Sequence, residues 1–252
     1  MTNILLSGCS GKMGRVIASL VAEDENAQIV CGIDLIDDST LPFPVFSSPE
    51  KVNVKSDVII DFSHPSCLCP IMDYAAKTAT PVVICTTGLS PEQKAYMASK
   101  ASDTAVFFSA NMSLGVNVLI DLAKKATTVL EDNFDIEILE AHHNRKLDAP
   151  SGTALYIADA INEVCEEKKE YVYDRHSVRK KREKREMGIH AIRGGTIVGE
   201  HTVIFAGNDE IIELKHTALS RDVFAEGAIA AAKFMAGKKP GMYDMNDLIS
   251  SK

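Results

Sequence analysis

No apolar run in this chain reaches the roughly 18 residues that crossing a bilayer requires, which argues against a membrane-spanning helix. Positive charge is also scarce. Against 35 Asp and Glu there are 27 Lys and Arg, a formal net charge of −8, whereas bulk nucleic-acid binding calls for a basic face. A secretory leader is missing from the expected place, because Ile4-Leu5-Leu6 is too short an apolar core and runs straight into glycines. The six cysteines are scattered, mostly inside apolar runs, and predict free thiols in a reducing cytoplasm. Cys67 and Cys69 form a C-x-C pair with no second pair behind it, so no metal site is expected. Internal repeats and low-complexity tracts are absent. The one basic run, Arg179 to Arg185 (RKKREKR), is interleaved with Glu183 and followed by Glu186, and reads as a solvated surface segment.

What is present begins with Asn3-Ile4-Leu5-Leu6-Ser7, a short apolar strand leading into Gly8-Cys9-Ser10-Gly11-Lys12-Met13-Gly14. A helix-period stretch follows, with Val16, Ile17, Leu20 and Val21 on one face. A second strand, Gln28 to Ile33, ends at Asp34. This order is that of a dinucleotide-binding unit. The first glycine makes the tight turn, the second lets the backbone approach a pyrophosphate, and the third packs helix on strand. The helix N-terminus offers N–H groups to phosphate, and the acid after the second strand accepts hydrogen bonds from ribose. The spacing is G-x-x-G-x-x-G, a looser variant of the usual turn.

Further βα units follow. Strands are predicted at Asp57 to Phe62, Pro81 to Cys85 and Ala105 to Ser109, with helices running to about Thr78 and over Pro91 to Ala101. Strands alternating with helices predict an α/β fold with a parallel, doubly wound, Rossmann-like sheet. Ligands of such sheets bind beyond the carboxyl ends of the strands, so the turns after Ile33, Phe62, Ile84 and Phe108 are expected to line one cleft. Ser63, Thr86, Thr87, Ser109 and Asn111 are its polar candidates, with ordinary turn chemistry as the competing role.

The second half changes style. Residues 114–130 predict a long amphipathic helix, and Phe134 to Glu140 alternate like a strand with one solvated face. A helix is predicted over Thr153 to Glu167. Three strands follow, at Gly188 to Arg193, Thr196 to Phe205 and Glu210 to His216, with hairpin turns at Gly194-Gly195 and Gly207-Asn208-Asp209. They read as an antiparallel meander in a second, α+β domain, whose sheet is expected to be mixed or antiparallel. The expected division is a dinucleotide-binding domain, 1–113, completed by 221–252, and a second domain, 114–220, for substrate binding.

Between strand and helix lies EAHHNRKLDAPSGTAL, residues 140–155. His142 and His143 titrate near neutrality and can donate protons. Lys146 adds a cation for a carboxylate, and Ser151-Gly152-Thr153 brings N–H groups and a hydroxyl at a helix start. A surface histidine pair beside an ordinary N-cap is the plainer reading; the clustering favours a site that grips an anion and delivers a proton.

With GCSGKMGR (Gly8 to Arg15), DFSHP (Asp61 to Pro65), CTTG (Cys85 to Gly88), SANMSLGVN (Ser109 to Asn117) and RGGTIVGEHTV (Arg193 to Val203), that motif resembles the 4-hydroxy-tetrahydrodipicolinate reductase family over essentially the whole chain. The resemblance implies NAD(P)H-dependent reduction of a small cyclic imine dicarboxylate, with loss of water, in the diaminopimelate route to lysine. It implies His142 as general acid with Lys146 as partner, and His143, Gly152 and Thr153 as substrate-carboxylate ligands. Cofactor contacts carried over are Gly8, Cys9, Ser10, Gly11, Lys12, Met13, Asp34, Cys85, Thr86, Thr87, Ser109, Ala110, Asn111 and Met112. It also implies a homotetramer assembled through the second domain's sheet. Leu35 follows Asp34 where some members carry arginine, and Cys85 stands where glycine is frequent. Asp34 with Leu35 leans toward NADH, while Lys12 and Arg15 leave NADPH open. Competing readings are another nicotinamide dehydrogenase, a dinucleotide-sensing regulator, for which no helix-turn-helix precedes the glycine turn, and a family member acting on a related imine.

Overall fold

A computed structural model of the chain describes residues 1–36 and 40–251. In chain order the first elements are β1 (Thr2–Ser7), α1 (Lys12–Ala22), β2 (Ala27–Ile33), β3 (Val45–Phe46), β4 (Val58–Asp61), α2 (Leu68–Thr78), β5 (Val82–Ile84), α3 (Pro91–Ser99) and β6 (Ala105–Phe108). Then come α4 (Leu114–Leu130), β7 (Asp135–His142), α5 (Gly152–Val164), β8 (Glu170–Val172), β9 (Glu186–Arg193), β10 (Gly199–Ala206) and β11 (Ile211–Ala218). The chain continues with α6 (Asp222–Met235), β12 (Gly241–Tyr243) and α7 (Met245–Ser250). Two compact units result: Met1–Leu114 with Asp222–Lys252, and Gly115–Arg221.

In the first unit a seven-stranded sheet has the order β12-β6-β5-β4-β1-β2-β3, every neighbouring pair parallel. Ile4, Leu5 and Leu6 of β1 are all fully buried because both faces of a parallel sheet are covered. Ile4, Leu6, Val58, Ile60 and Phe107 join a core with Ile17 of α1 and Ala228 and Met235 of α6. The alternate residues Leu5, Ile59, Val82 and Val106 pack on the opposite side with Ile71 and Met72 of α2 and Met97 of α3. Helix α3 starts on a capping box, in which the Ser90 hydroxyl accepts from Gln93 N at 3.2 Å and the Gln93 amide oxygen accepts from Ser90 N at 3.0 Å.

The second unit has a five-stranded sheet of order β11-β10-β7-β9-β8. This corrects the expected meander. β7 is central, with β10 antiparallel on one side and β9 parallel on the other. β9 and β10 therefore do not pair, and Gly194-Gly195 is no hairpin turn; residues 194–198 carry the chain past the end of β7 instead. The β10–β11 hairpin stands as expected, closed by Gly207 N donating to Glu210 O at 2.9 Å. β7 also runs two residues beyond its predicted end. Ile136, Ile138, Glu140 and His142 thus share one face, and the first two enter the core with Ile157 and Ile161 of α5.

The basic run lies on the surface, as expected, with all but Arg182 of residues 179–185 exposed. Arg182 donates to Asp135 at 2.7 Å and to Glu137 at 2.9 Å, while Lys180 meets Glu186 at 2.7 Å. Arg175 bridges Glu137 and Glu186. Lys180 first and then Arg175 pull the Glu186 carboxyl down to about 2. The exposed run is also ion-paired, because β7 places two of its acids opposite it.

Candidate active site

The first unit builds an anion cradle at the end of β1. Gly8 sits at φ +79°, and a Cβ there would lie 2.5 Å from the Phe62 carbonyl oxygen. At Gly14 an added Cβ would come within 2.2 Å of Gly8 O. Only glycine permits these approaches. Helix α1 begins at N-cap Gly11, which provides no side-chain cap. Asp34, at the end of β2, accepts from Ser10 N at 2.9 Å and from Ile36 N at 3.3 Å. Gly8, Gly11 and Asp34 line a cavity of about 470 Å³ together with Glu50 and His64. Glycines that let backbone approach, the start of α1 and the Asp34 carboxylate at one cavity fit a pyridine dinucleotide.

This cavity covers part of the expected cleft. The turns after β1, β2 and β4 line it, whereas Cys85, Thr86, Thr87, Ser109, Ala110, Asn111 and Met112 are not in its lining. Nor are Cys9, Ser10, Lys12 and Met13; Cys9 is fully buried in the core. Thr86 donates to the buried Asp61 at 2.7 Å, and Ser63 donates to the same carboxylate at 2.6 Å. Burial raises the Asp61 carboxyl despite these bonds. Asp61 thereby ties the turn after β4 to the turn after β5. Burial, and then the Asp61 charge, push the Cys85 thiol well up, so it stays protonated. The Ser109 hydroxyl donates to Asn111 O at 2.9 Å, which closes the turn after β6 on itself.

In the second unit the cluster centres on Glu140, which is fully buried. Arg193 grips it bidentately, with Nη1 to Oε2 and Nη2 to Oε1 both at 2.7 Å. His142 Nδ1 lies 2.6 Å from Oε2, and Ser151 N donates to Oε1 at 2.9 Å. Burial alone would raise this carboxyl, but Arg193, His142 and the Ser151 N–H hold it below its ordinary value. An ionised carboxylate only accepts, so the bond assigns the hydrogen to His142 Nδ1 and leaves Nε2 as the reactive nitrogen. His201 lies opposite Glu140 in the β7–β10 register, its ring centroid 5.2 Å from that of His142. Burial first, then the charge of His142, push His201 down to about 4, so it is neutral near pH 7. Its Nε2 is 3.1 Å from Ser151 Oγ, which also caps α5 by accepting from Ala154 N at 3.1 Å.

Lys146 follows in the loop, its Nζ 2.9 Å from Asp148 Oδ1. Lys146 first, and the Gly152 N–H among lesser causes, hold the Asp148 carboxyl down. A carboxylate of the chain itself therefore engages both a lysine and the first residue of α5. His143 Nδ1 is buried without a hydrogen-bond partner. Gly152 and Thr153 open α5, with Gly152 exposed. Sequence reasoning marked His142, His143, Lys146, Gly152 and Thr153, and these follow one another from the end of β7 to the start of α5. It missed Glu140, Arg193 and His201. The available signal was phase: in β7 the acid falls on the same alternation as Ile136 and Ile138, which is the core face.

Among the described residues no group of three or more His, Cys, Asp or Glu is placed to hold a metal ion. No described helix is long and apolar enough to cross a membrane.

Comparison with known proteins decides the family. Residues 2–112 match the sequence model for the dihydrodipicolinate reductase N-terminus, and residues 115–249 match that for its C-terminus. The chain belongs to the dihydrodipicolinate reductase family. It is 53% identical over 251 residues to the 4-hydroxy-tetrahydrodipicolinate reductase of Caldanaerobacter subterraneus subsp. tengcongensis, covering 99% of this chain and 98% of that one. The protein of the same name from Clostridium novyi is 50% identical over 252 residues, all of both chains. Among solved structures, a dipicolinate-bound dihydrodipicolinate reductase from Paenisporosarcina sp. TG-14 superposes with a TM-score of 0.83 at 25% identity, covering 98% of this chain and 99% of that one. Membership makes the chain an oxidoreductase with a pyridine-nucleotide cofactor.

Proposed function

We propose that the chain reduces 4-hydroxy-tetrahydrodipicolinate to tetrahydrodipicolinate, with loss of water, in the diaminopimelate route to lysine. The observation that carries this reading furthest is His142 braced by a buried, ionised Glu140 just ahead of Lys146 and the α5 N-terminus. A reduced nicotinamide supplies a hydride, which the substrate takes at C4 once its 4-hydroxyl has left as water. His142 then gives a proton from Nε2 to the resulting enamine-type species, and Lys146 serves as its partner donor. Lys146, His143, Gly152 and Thr153 hold the substrate carboxylates. The Asp148 contacts support that role, since they are a carboxylate's contacts with the same lysine and helix start. Oxidation of NADH or NADPH followed at 340 nm, with and without freshly made substrate, tests the reaction directly. Cofactor oxidation that does not depend on the substrate would defeat it.

Removing a charge-assisted bond to a carboxylate costs about 1.5–3 kcal/mol. Lys146→Ala is therefore expected to raise KM or lower kcat/KM by roughly 10- to 100-fold. Unchanged steady-state constants would take Lys146 out of the site.

For the cofactor we infer a lean toward NADH. Among the described residues the charged groups lining the cavity are Asp34 and Glu50, with no lysine or arginine. A carboxylate beside the ribose accepts from its hydroxyls and repels a 2′-phosphate. Asp34→Ala is expected to narrow the ratio of kcat/KM for NADH over NADPH, and a constant ratio would move the determinant elsewhere. The proposed contacts remain Gly8 to Met13, Asp34, Cys85 to Thr87 and Ser109 to Met112. A homotetramer built on the five-stranded sheet is proposed as the assembly, supported by Ile211 and Ile212, both exposed on edge strand β11. The proposed compartment is the cytoplasm, in keeping with six cysteines of which none forms a disulfide among the described residues.

A further inference from the structure

We infer that Glu140 and Arg193 are positioning residues for the proton donor: Arg193 fixes the buried carboxylate, and the carboxylate fixes His142 with Nδ1 donating and Nε2 left to react. The inference rests on His142 being that donor. Its warrant is saturation. Each Glu140 oxygen accepts two bonds, Oε1 from Ser151 N at 2.9 Å and Arg193 Nη2 at 2.7 Å, Oε2 from His142 Nδ1 at 2.6 Å and Arg193 Nη1 at 2.7 Å. All four acceptor positions of the carboxylate are used. Turning the imidazole away would leave one of them unmet inside the protein, so the ring has one favoured orientation. Arg193 is itself anchored to backbone, donating to Asp148 O and Ile192 O, both at 2.7 Å. The clamp thus joins β7, β9, the loop carrying Lys146 and the cap of α5.

Stability alone is a poor reason to keep such a cluster. A buried ion pair typically gains little over apolar side chains of the same volume. The charges have a direction instead: the carboxylate faces His142, and the guanidinium lies on its other side. The other titratable or charged groups gathered about His142 are His201 from β10, with His216 of β11 opposite it, and Lys146 and Asp148 of the loop.

The experiment is a pH profile of kcat in three full-length variants, with NADH binding by fluorescence titration to show that each is folded. A general acid loses activity as pH rises past its titration. Glu140→Gln keeps the shape and removes the charge. It is expected to lower kcat roughly 10- to 100-fold, part of the 10²–10⁴ that a positioned proton donor contributes. It should also move the alkaline limb about one pH unit lower. Arg193→Met leaves the carboxylate facing His142 without its counter-charge and should move the same limb higher. Arg193→Lys restores the charge and should return the limb to its wild-type position. Shifts of one sign in both charge-removing variants, or no shift, would overturn the inference; if Glu140→Gln fails to fold, the two Arg193 variants decide it alone. Should His142→Gln itself retain full turnover, the proton-donor reading falls first. If His142→Gln is inactive and the limbs do not part, only the positioning role fails.

Discussion

Replacing His142 with glutamine is expected to lower kcat by two or more orders of magnitude while NADH binds almost as before. Glutamine keeps a polar side chain of similar reach but has no proton to give near neutrality. Loss of a positioned general acid typically costs 10²–10⁴ in rate. The effect should fall on kcat and kcat/KM together, the signature of a contact made in the transition state. The proposed cofactor contacts lie in the glycine turn of the other unit, so a fluorescence titration with NADH separates the two contributions. Turnover within a few-fold of wild type would remove His142 from the chemistry. A parallel collapse of NADH binding would show that the substitution had damaged more than proton delivery.

The second large effect is expected from backbone packing. Gly14→Ala should abolish tight dinucleotide binding and lower the melting temperature together. The added methyl would meet Gly8 O at 2.2 Å, with Cys9 C and Cα both at 2.7 Å, all of them backbone. No side chain can rotate aside, so the turn or the helix must move. Overpacking of this kind costs about 2–3 kcal/mol, or roughly 5–10 °C in Tm for a chain of this size. Because the moved atoms carry the cradle, NADH affinity should fall at least about tenfold, equivalent to 1.4 kcal/mol. Gly194→Ala provides the control, since nothing lies within 4 Å of a Cβ built there. Wild-type melting and affinity in Gly14→Ala would mean that the turn tolerates a conformation other than the one described.

The two halves of the chain were legible to different degrees, for reasons that lie in the physics of sheets. Parallel strands buried on both faces show as continuous apolar runs, and β1, β4, β5 and β6 are such runs. β3 and β12, with two and three residues, are too short to show any period. In the second unit, alternation reports which face a residue takes and says nothing of which strand lies beside it. The Gly194-Gly195 pair therefore looked like a hairpin, although β7 lies between β9 and β10. Glu140 looked solvated because carboxylates usually are, and its partner Arg193 is 53 residues away. A charge on a core-phase position carries information only through the groups that neutralise it, and those are tertiary. The same holds for the basic run, whose acids lie on β7. His142, His143, Lys146, Gly152 and Thr153 were visible because they are consecutive or nearly so.

The first unit is discontinuous: α6, β12 and α7 belong to it although the whole of the second unit intervenes in the chain. During synthesis the strands β1 to β6 leave the ribosome long before Ala225, Ala228, Ala232, Met235 and Leu248, which fill one side of their core. That side has α1 over it but lacks the cover of α6 and α7 until residue 248 is available. The dinucleotide-binding half, though translated first, is completed last, and a nascent chain halted near residue 221 would carry a finished second unit and a sheet still short of part of its cover on one face.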